Sequence, residues 1–183
     1  CLSVEYRLAP EHPYPAALED CEAAALWLAG PGKAEVGISA LTIGGESAGA
    51  HLAVMTLLRL RDRHNLPRAF RGANLNAGFF DLGLTPSVRN WGETRLVVNT
   101  QDLTTFANDY VRDGIDRRRP DVSPLYADLK GLPPVTITLA GAGAAGFRAI
   151  AACRTGAEGP GLLVQLGTTR DPAARPTWPG GLV

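Results

Sequence analysis

Scarcity narrows this chain before any motif does. Three cysteines occur, Cys1, Cys21 and Cys153. An odd count at wide spacing builds neither a paired disulfide framework nor a metal-ligand cluster, so they read as free thiols in a reducing, cytoplasmic setting. Charge of one sign is missing too, because Lys plus Arg and Asp plus Glu both number 18. That balance argues against a nucleic-acid or anionic-membrane partner and for an uncharged small molecule. No apolar run approaches the roughly 20 residues of a membrane span, and no basic, apolar, small-residue series resembles a signal peptide. The first residue is Cys1 rather than Met. Leu2, Val4 and Tyr6 alternate straight into a strand, where a lipid-modified cysteine would want a flexible tether. The expectation is therefore a chain whose N-terminal part is missing.

What is present suffices for one domain: 183 residues, 45% hydrophobic and 20% charged, an ordinary globular composition. The alternation over Leu2–Arg7 predicts a strand that breaks at Pro10. Pro15 to Leu28 predicts a helix, with Leu18, Cys21, Ala25 and Leu28 on one face and a stop at Gly30-Pro31-Gly32. A short strand near Leu41 to Gly44 leads into an apolar helix from Ala50 to about Leu60, which must be buried on most sides. Ala73 to Phe80 and Val135 to Leu139 are further strands. Strand and helix in alternation predict a parallel sheet with crossover helices. Residues 81–123 are polar with anchors at Trp91, Phe106 and Tyr110, and read as helical pieces outside the sheet, part of a cap-like insertion. Arg117-Arg118-Arg119 reads as a solvated turn. Beyond Leu139, Gly and Ala supply 18 of the last 43 residues, so 141–183 reads as a poorly ordered tail without a core-forming element. Its Gly, Ala, Pro and Arg bias suggests a GC-rich gene read out of frame. That hypothesis fails if neither alternative frame of the nucleotide sequence restores an ending with core-forming elements.

One motif carries chemistry. Gly45-Glu46-Ser47-Ala48-Gly49 fits Gly-x-Ser-x-Gly, in which a serine occupies a sharp strand-to-helix turn. Both glycines are expected where side chains would clash. The turn lifts the Ser47 hydroxyl clear of the sheet and leaves the Ala48 N–H at the positive end of the next helix, half of an oxyanion hole. A bare five-residue match is weak. A preceding strand and a following buried helix are the context it needs, and the competing reading is a glycine-rich turn with an incidental serine.

Together, Val4-Glu5-Tyr6-Arg7-Leu8-Ala9-Pro10-Glu11-His12-Pro13, Pro15-Ala16-Ala17-Leu18-Glu19-Asp20 and Gly44-Gly45-Glu46-Ser47-Ala48-Gly49 are similar to the hormone-sensitive-lipase-like branch of α/β-hydrolases. Ser123-Pro124-Leu125-Tyr126-Ala127-Asp128-Leu129 with Gly131-Leu132-Pro133-Pro134 resembles the approach to a late core strand of that branch. The resemblance covers about residues 1–140. It implies a partial α/β-hydrolase core, an incomplete parallel sheet, and a carboxylester hydrolase acting on small or short-chain acyl esters without metal or organic cofactor. Ser47 would be the nucleophile, with a histidine as base and a carboxylate orienting it.

The chain departs from that pattern at three points. The upstream His-Gly-Gly motif that supplies the remaining oxyanion donors is not in it. Ala140-Gly141-Ala142-Gly143-Ala144-Ala145 offers no carboxylate where the acid should follow the last strand. Asp171, beside Pro172, lies about thirty residues too late. No histidine follows His64, so no base is identified either. His51, four residues past Ser47 on the helix, reads as a packing residue, and His12 and His64 as solvated or locally bonded. The expectation is an esterase fragment inactive by itself; the alternative is a non-catalytic remnant or binding module that keeps the elbow because the fold needs its glycines.

Overall fold

The computed structural model describes residues 1–95, 97–140 and the strand 163–167. In chain order the elements are α1 (Ala16–Ala29), α2 (Pro31–Glu35), β1 (Ile43–Glu46), α3 (Ala48–His64), β2 (Ala73–Asn76), α4 (Pro86–Arg89), α5 (Thr100–Tyr110), a 3-10 turn (Pro124–Tyr126), β3 (Val135–Ala140) and β4 (Leu163–Gly167). The strands form one parallel sheet in the order β1-β2-β3-β4. Ile43, Ala73 and Val135 stand side by side in register. The α/β class, the parallel sheet and the crossover helix α3 are as the sequence pattern predicts.

The core forms around α3, in which every residue from Ala50 to Leu60 is buried. A helix apolar on all sides needs neighbours on all sides. Helix α1 supplies Ala17, Leu18 and Ala25, and the sheet supplies Leu75 and Ile137. One charge is sealed in the α1–α3 contact: Glu22 accepts hydrogen bonds from Arg59 Nη1 and His64 Nε2, both at 2.7 Å. Burial would raise the Glu22 pKa, but the bonds from His64 and Arg59 outweigh it and hold the carboxyl below its ordinary value. Removing one member of such a buried pair leaves an uncompensated charge, a loss on the order of 3–5 kcal/mol. His64 is thus bonded across 42 residues of sequence, a correction to its reading as solvated or locally bonded. Its helical neighbours place it one turn past Leu60, where Glu22 is within reach.

Several boundaries move for identifiable reasons. Leu2–Arg7 is no strand: β1 pairs only with β2, and no described strand lies beside this segment. The alternation survives as burial, with Val4 and Tyr6 half-buried and Leu2, Glu5 and Arg7 exposed. The Arg7 N–H and guanidinium instead bind Asp20 on α1, at 2.9 Å each. β2 stops at Asn76 rather than Phe80, because Ala77 takes φ +46°. α3 continues past Leu60 to His64 and ends at Asn65, whose left-handed conformation (φ +53°) closes the helix with an N–H bond to the Leu60 carbonyl.

Residues 81–123 contain α4 and α5 outside the sheet. Helix α5 opens on a capping box in which Asn99 and Asp102 exchange side-chain to backbone hydrogen bonds of 2.9 and 3.0 Å. Val88 with Leu103, and Leu82 with Val111 and Val122, form two small apolar clusters here. β4 falls where the composition points to no element; its Leu163, Val164 and Leu166 add to the free edge of β3, and five residues are too few to show a period. The rest of the tail, including Cys153 and Asp171, lies outside the described residues. No described helix is long and apolar enough to cross a membrane.

Candidate active site

β1 ends at Glu46 and α3 begins at Ala48, so a single residue turns the chain from strand to helix. That residue is Ser47, at φ +53° and ψ −114°. A non-glycine residue held there costs roughly 1–3 kcal/mol and persists only where neighbours over-determine it. Here the Ser47 N–H donates to the Asn76 carbonyl at 2.9 Å, and the Ser47 carbonyl accepts the His51 N–H at 3.2 Å. The strain leaves the Ser47 side chain exposed at the head of a buried helix.

The glycines act unequally. A Cβ on Gly45 would meet the Gly49 oxygen at 2.6 Å and the Ala50 nitrogen at 2.9 Å, and one on Gly44 would meet the Asn74 oxygen at 2.5 Å. A Cβ on Gly49 would meet nothing within 4 Å, which corrects the expectation of a clash on both sides. The Gly49 carbonyl faces Gly45, whereas the direction a Gly49 side chain would take is open. Glu46 is exposed, and its side chain makes no hydrogen bond among the described residues.

Ala48 opens α3, and its N–H has no acceptor among the described residues. Seventeen residues of aligned peptide dipole stand behind it, so the spot favours negative charge developing beside Ser47. The neighbouring Ser47 N–H is already engaged by Asn76 and adds nothing, so this turn offers one donor.

None of the three histidines is placed as a general base. His51 is 4% exposed and its Nδ1 lies 3.0 Å from the Phe79 carbonyl. A carbonyl only accepts, so Nδ1 carries the proton and Nε2 presents a lone pair. Desolvation pushes the His51 pKa down to about 4, against the raising effect of the Phe79 bond. His51 is therefore neutral at pH 7, and no hydrogen bond joins it to the Ser47 side chain. His64 is held by Glu22 and His12 is exposed. The buried Asp81 accepts from Gly83 N–H and the Tyr126 hydroxyl, not from a histidine.

Beside the elbow lies a cavity of about 290 Å3, bordered by Ala48 and His51 on one side and by Tyr6, Phe79, Phe106 and Tyr110 on others. Four aromatic side chains share its walls with aliphatic ones, among them Leu8, Leu52 and Leu82. Burial raises the Tyr110 pKa far above ordinary, so the phenol stays neutral, and the His51 and Tyr110 rings meet edge-on at 6.0 Å. The sequence motif located Ser47, Gly45 and Ala48. It did not reveal the Asn76 and Phe79 carbonyls that fix the turn, since backbone acceptors carry no residue signature. Nor did it reveal the aromatic wall, which gathers residues over a hundred positions apart.

A strand, a one-residue reversal bearing an exposed serine, and a buried helix in a parallel sheet define an α/β-hydrolase core. The family model described as alpha/beta hydrolase fold matches residues 1–152, and the chain belongs to that family. Within it, the chain is 33% identical over 158 residues to the carboxylic ester hydrolase LipN of Mycobacterium tuberculosis, covering 76% of this chain and 39% of LipN. It is 39% identical over 141 residues to an acetyl-hydrolase of Streptomyces hygroscopicus, covering 74% and 44%. Among solved structures, an esterase of Pyrobaculum calidifontis superposes with a TM-score of 0.67 at 33% identity, covering 74% of this chain and 45% of that one. The chain thus spans less than half the length of these relatives. Their names agree with the branch that the motifs resemble.

Proposed function

We propose that this chain carries the nucleophile of a carboxylester hydrolase for small or short-chain acyl esters. The carrying observation is the exposed Ser47 at φ +53° with the unpartnered Ala48 N–H beside it. In the proposed reaction the Ser47 oxygen attacks the ester carbonyl, and the Ala48 N–H stabilises the oxyanion. The C–O bond to the alcohol breaks as that alcohol takes a proton, and water then releases the acid. Gly45 permits the bend, Gly49 lies in open space at the start of α3, and Glu46 stands between Gly45 and Ser47. Among the described residues no histidine or carboxylate joins Ser47, so the hydroxyl stays a weak nucleophile and the chain by itself has negligible turnover. The insertion 81–123 is read as part of a cap, supported by its separate apolar clusters. A reducing cytoplasmic setting is supported by the free thiols of Cys1 and Cys21, the latter pushed up to about 11 by burial and hence unreactive. The even charge balance supports a neutral substrate rather than nucleic acid.

The non-catalytic reading also has an observation in its favour: Gly44 and Gly45 are demanded by packing alone. Chemical rescue separates the two. With p-nitrophenyl acetate in plain buffer, the chain and its Ser47→Ala variant should hydrolyse ester at the same rate. Added imidazole should supply the base and yield an acetyl adduct on Ser47, seen by peptide mass spectrometry and absent from Ser47→Ala. No adduct at any imidazole concentration would favour the remnant, and Ser47-dependent turnover without imidazole would overturn the predicted inactivity.

A further inference from the structure

The cavity beside the elbow has a feature that ester attack by Ser47 does not use. His51 is buried, yet it borders that cavity and spends only Nδ1, on the Phe79 carbonyl. Nε2 is the remaining ring heteroatom, a neutral acceptor that receives none of the hydrogen bonds among the described residues. The same cavity is bordered by Phe79, Phe106 and Tyr110, whose ring faces and edges favour another aromatic ring. Phe106 is 54% exposed and Leu8, also on the cavity border, is 63% exposed, so they form an open apolar rim through which a ligand can enter. Size agrees with this chemistry: an apolar cavity of about 150 Å3 holds benzene, and this one is about 290 Å3. The two charged residues on its border do not compete for the ligand in the interior. Arg7 is committed to Asp20 and Glu19, and Asp109 is exposed.

We propose that this cavity is a binding site for a small aromatic alcohol of phenol size, its ring against Phe79, Phe106 and Tyr110 and its hydroxyl donating to His51 Nε2. The site adjoins Ala48, one residue from Ser47, and so names the alcohol half of the ester read for that serine. Its link to turnover rests on that reading; the binding does not. An apolar ring alone would enter on area, but a hydroxyl would be desolvated at a loss unless it met an acceptor. His51 is that acceptor, and it converts a penalty into a preference.

The test compares 4-methylphenol with p-xylene, which replaces the hydroxyl by a methyl group of similar size. Affinities are measured by calorimetry on the chain and on its His51→Phe variant. The chain should bind 4-methylphenol at least as tightly as p-xylene. His51→Phe should shift the ratio toward p-xylene by roughly tenfold or more, because the hydroxyl then loses the Nε2 acceptor. A ratio unchanged by the substitution, or no binding of either compound, would overturn the site. If His51→Phe does not fold, the 15N resonance of His51 Nε2 in the unaltered chain decides. It should move on adding 4-methylphenol and not p-xylene, and an unmoved resonance overturns the proposal equally. Because binding is read directly, failure here leaves Ser47 acetylation untouched, and a missing acetyl adduct leaves this site untouched.

Discussion

Ser47→Gly should stabilise this chain relative to Ser47→Ala, the reverse of the usual order of those two residues. Both variants delete an exposed hydroxyl that makes no described hydrogen bond, so neither loses packing. Alanine keeps the Cβ and with it the conformational penalty at φ +53° and ψ −114°. Glycine removes that penalty, roughly 1–3 kcal/mol, while adding about 0.4–1 kcal/mol of unfolded-chain entropy. The difference favours glycine by about 1 kcal/mol, or about 2–4 °C in Tm for a chain of this size. Urea unfolding followed by circular dichroism would read it as a higher midpoint at unchanged slope. Equal midpoints, or alanine above glycine, would mean that the turn carries no strain, and the physical case for an elbow would fall with it.

The glycines on either side should separate as sharply. Gly45→Ala forces a Cβ onto the Gly49 and Ala50 backbone and should lose about 1–3 kcal/mol, whereas Gly49→Ala enters open space in a helix and should be neutral or gain up to about 1 kcal/mol; urea midpoints of the pair check this. His51 makes stability depend on acidity. Its folded pKa of about 4 lies below the ordinary 6.5, so between those values the unfolded chain binds the extra proton. The contribution is complete above about pH 6.5 and is lost as pH falls toward 4, about 3 kcal/mol over that span. Unfolding measured from pH 7 down to 4 should show the slope, and His51→Gln should flatten it; an unchanged slope would contradict the burial of that ring.

Much of this arrangement is legible in the residues, and the gaps follow from what local pattern can encode. The apolar run from Ala50 to Leu60 announces α3 because no amphipathic surface helix looks like that. Val135–Ala140 announces β3 through its β-branched run. Ser47 is legible because few backbone paths place a small residue between glycines at a strand-to-helix junction. The alternation over Leu2–Arg7 reports correctly that Val4 and Tyr6 turn inward, though Leu2 stays exposed. It cannot report whether a ladder partner stands alongside, and among the described residues none does. Gly49 and Gly45 are the same letter in the motif, but only three-dimensional approach reveals that one is crowded and the other is not. The Glu22–Arg59–His64 contact was invisible for a similar reason: it joins two helices through residues that read singly as surface charge.

Helix α3 is pinned at both ends, and that makes it a strut rather than a passive filler. At its head the Asn76 and Phe79 carbonyls grip Ser47 and His51. Near its tail Glu22 grips Arg59 and His64, while Arg61 reaches the Asp128 and Lys130 carbonyls at 2.8 and 2.7 Å. A slip of one residue along its axis would carry the serine about 1.5 Å, and a displacement near 1 Å can cost a reacting group about a hundredfold in rate. Anchorage about 18–25 Å down the rod, at 1.5 Å per residue, thus governs where the hydroxyl stands, and damage to the distal clamp would be felt at the tip.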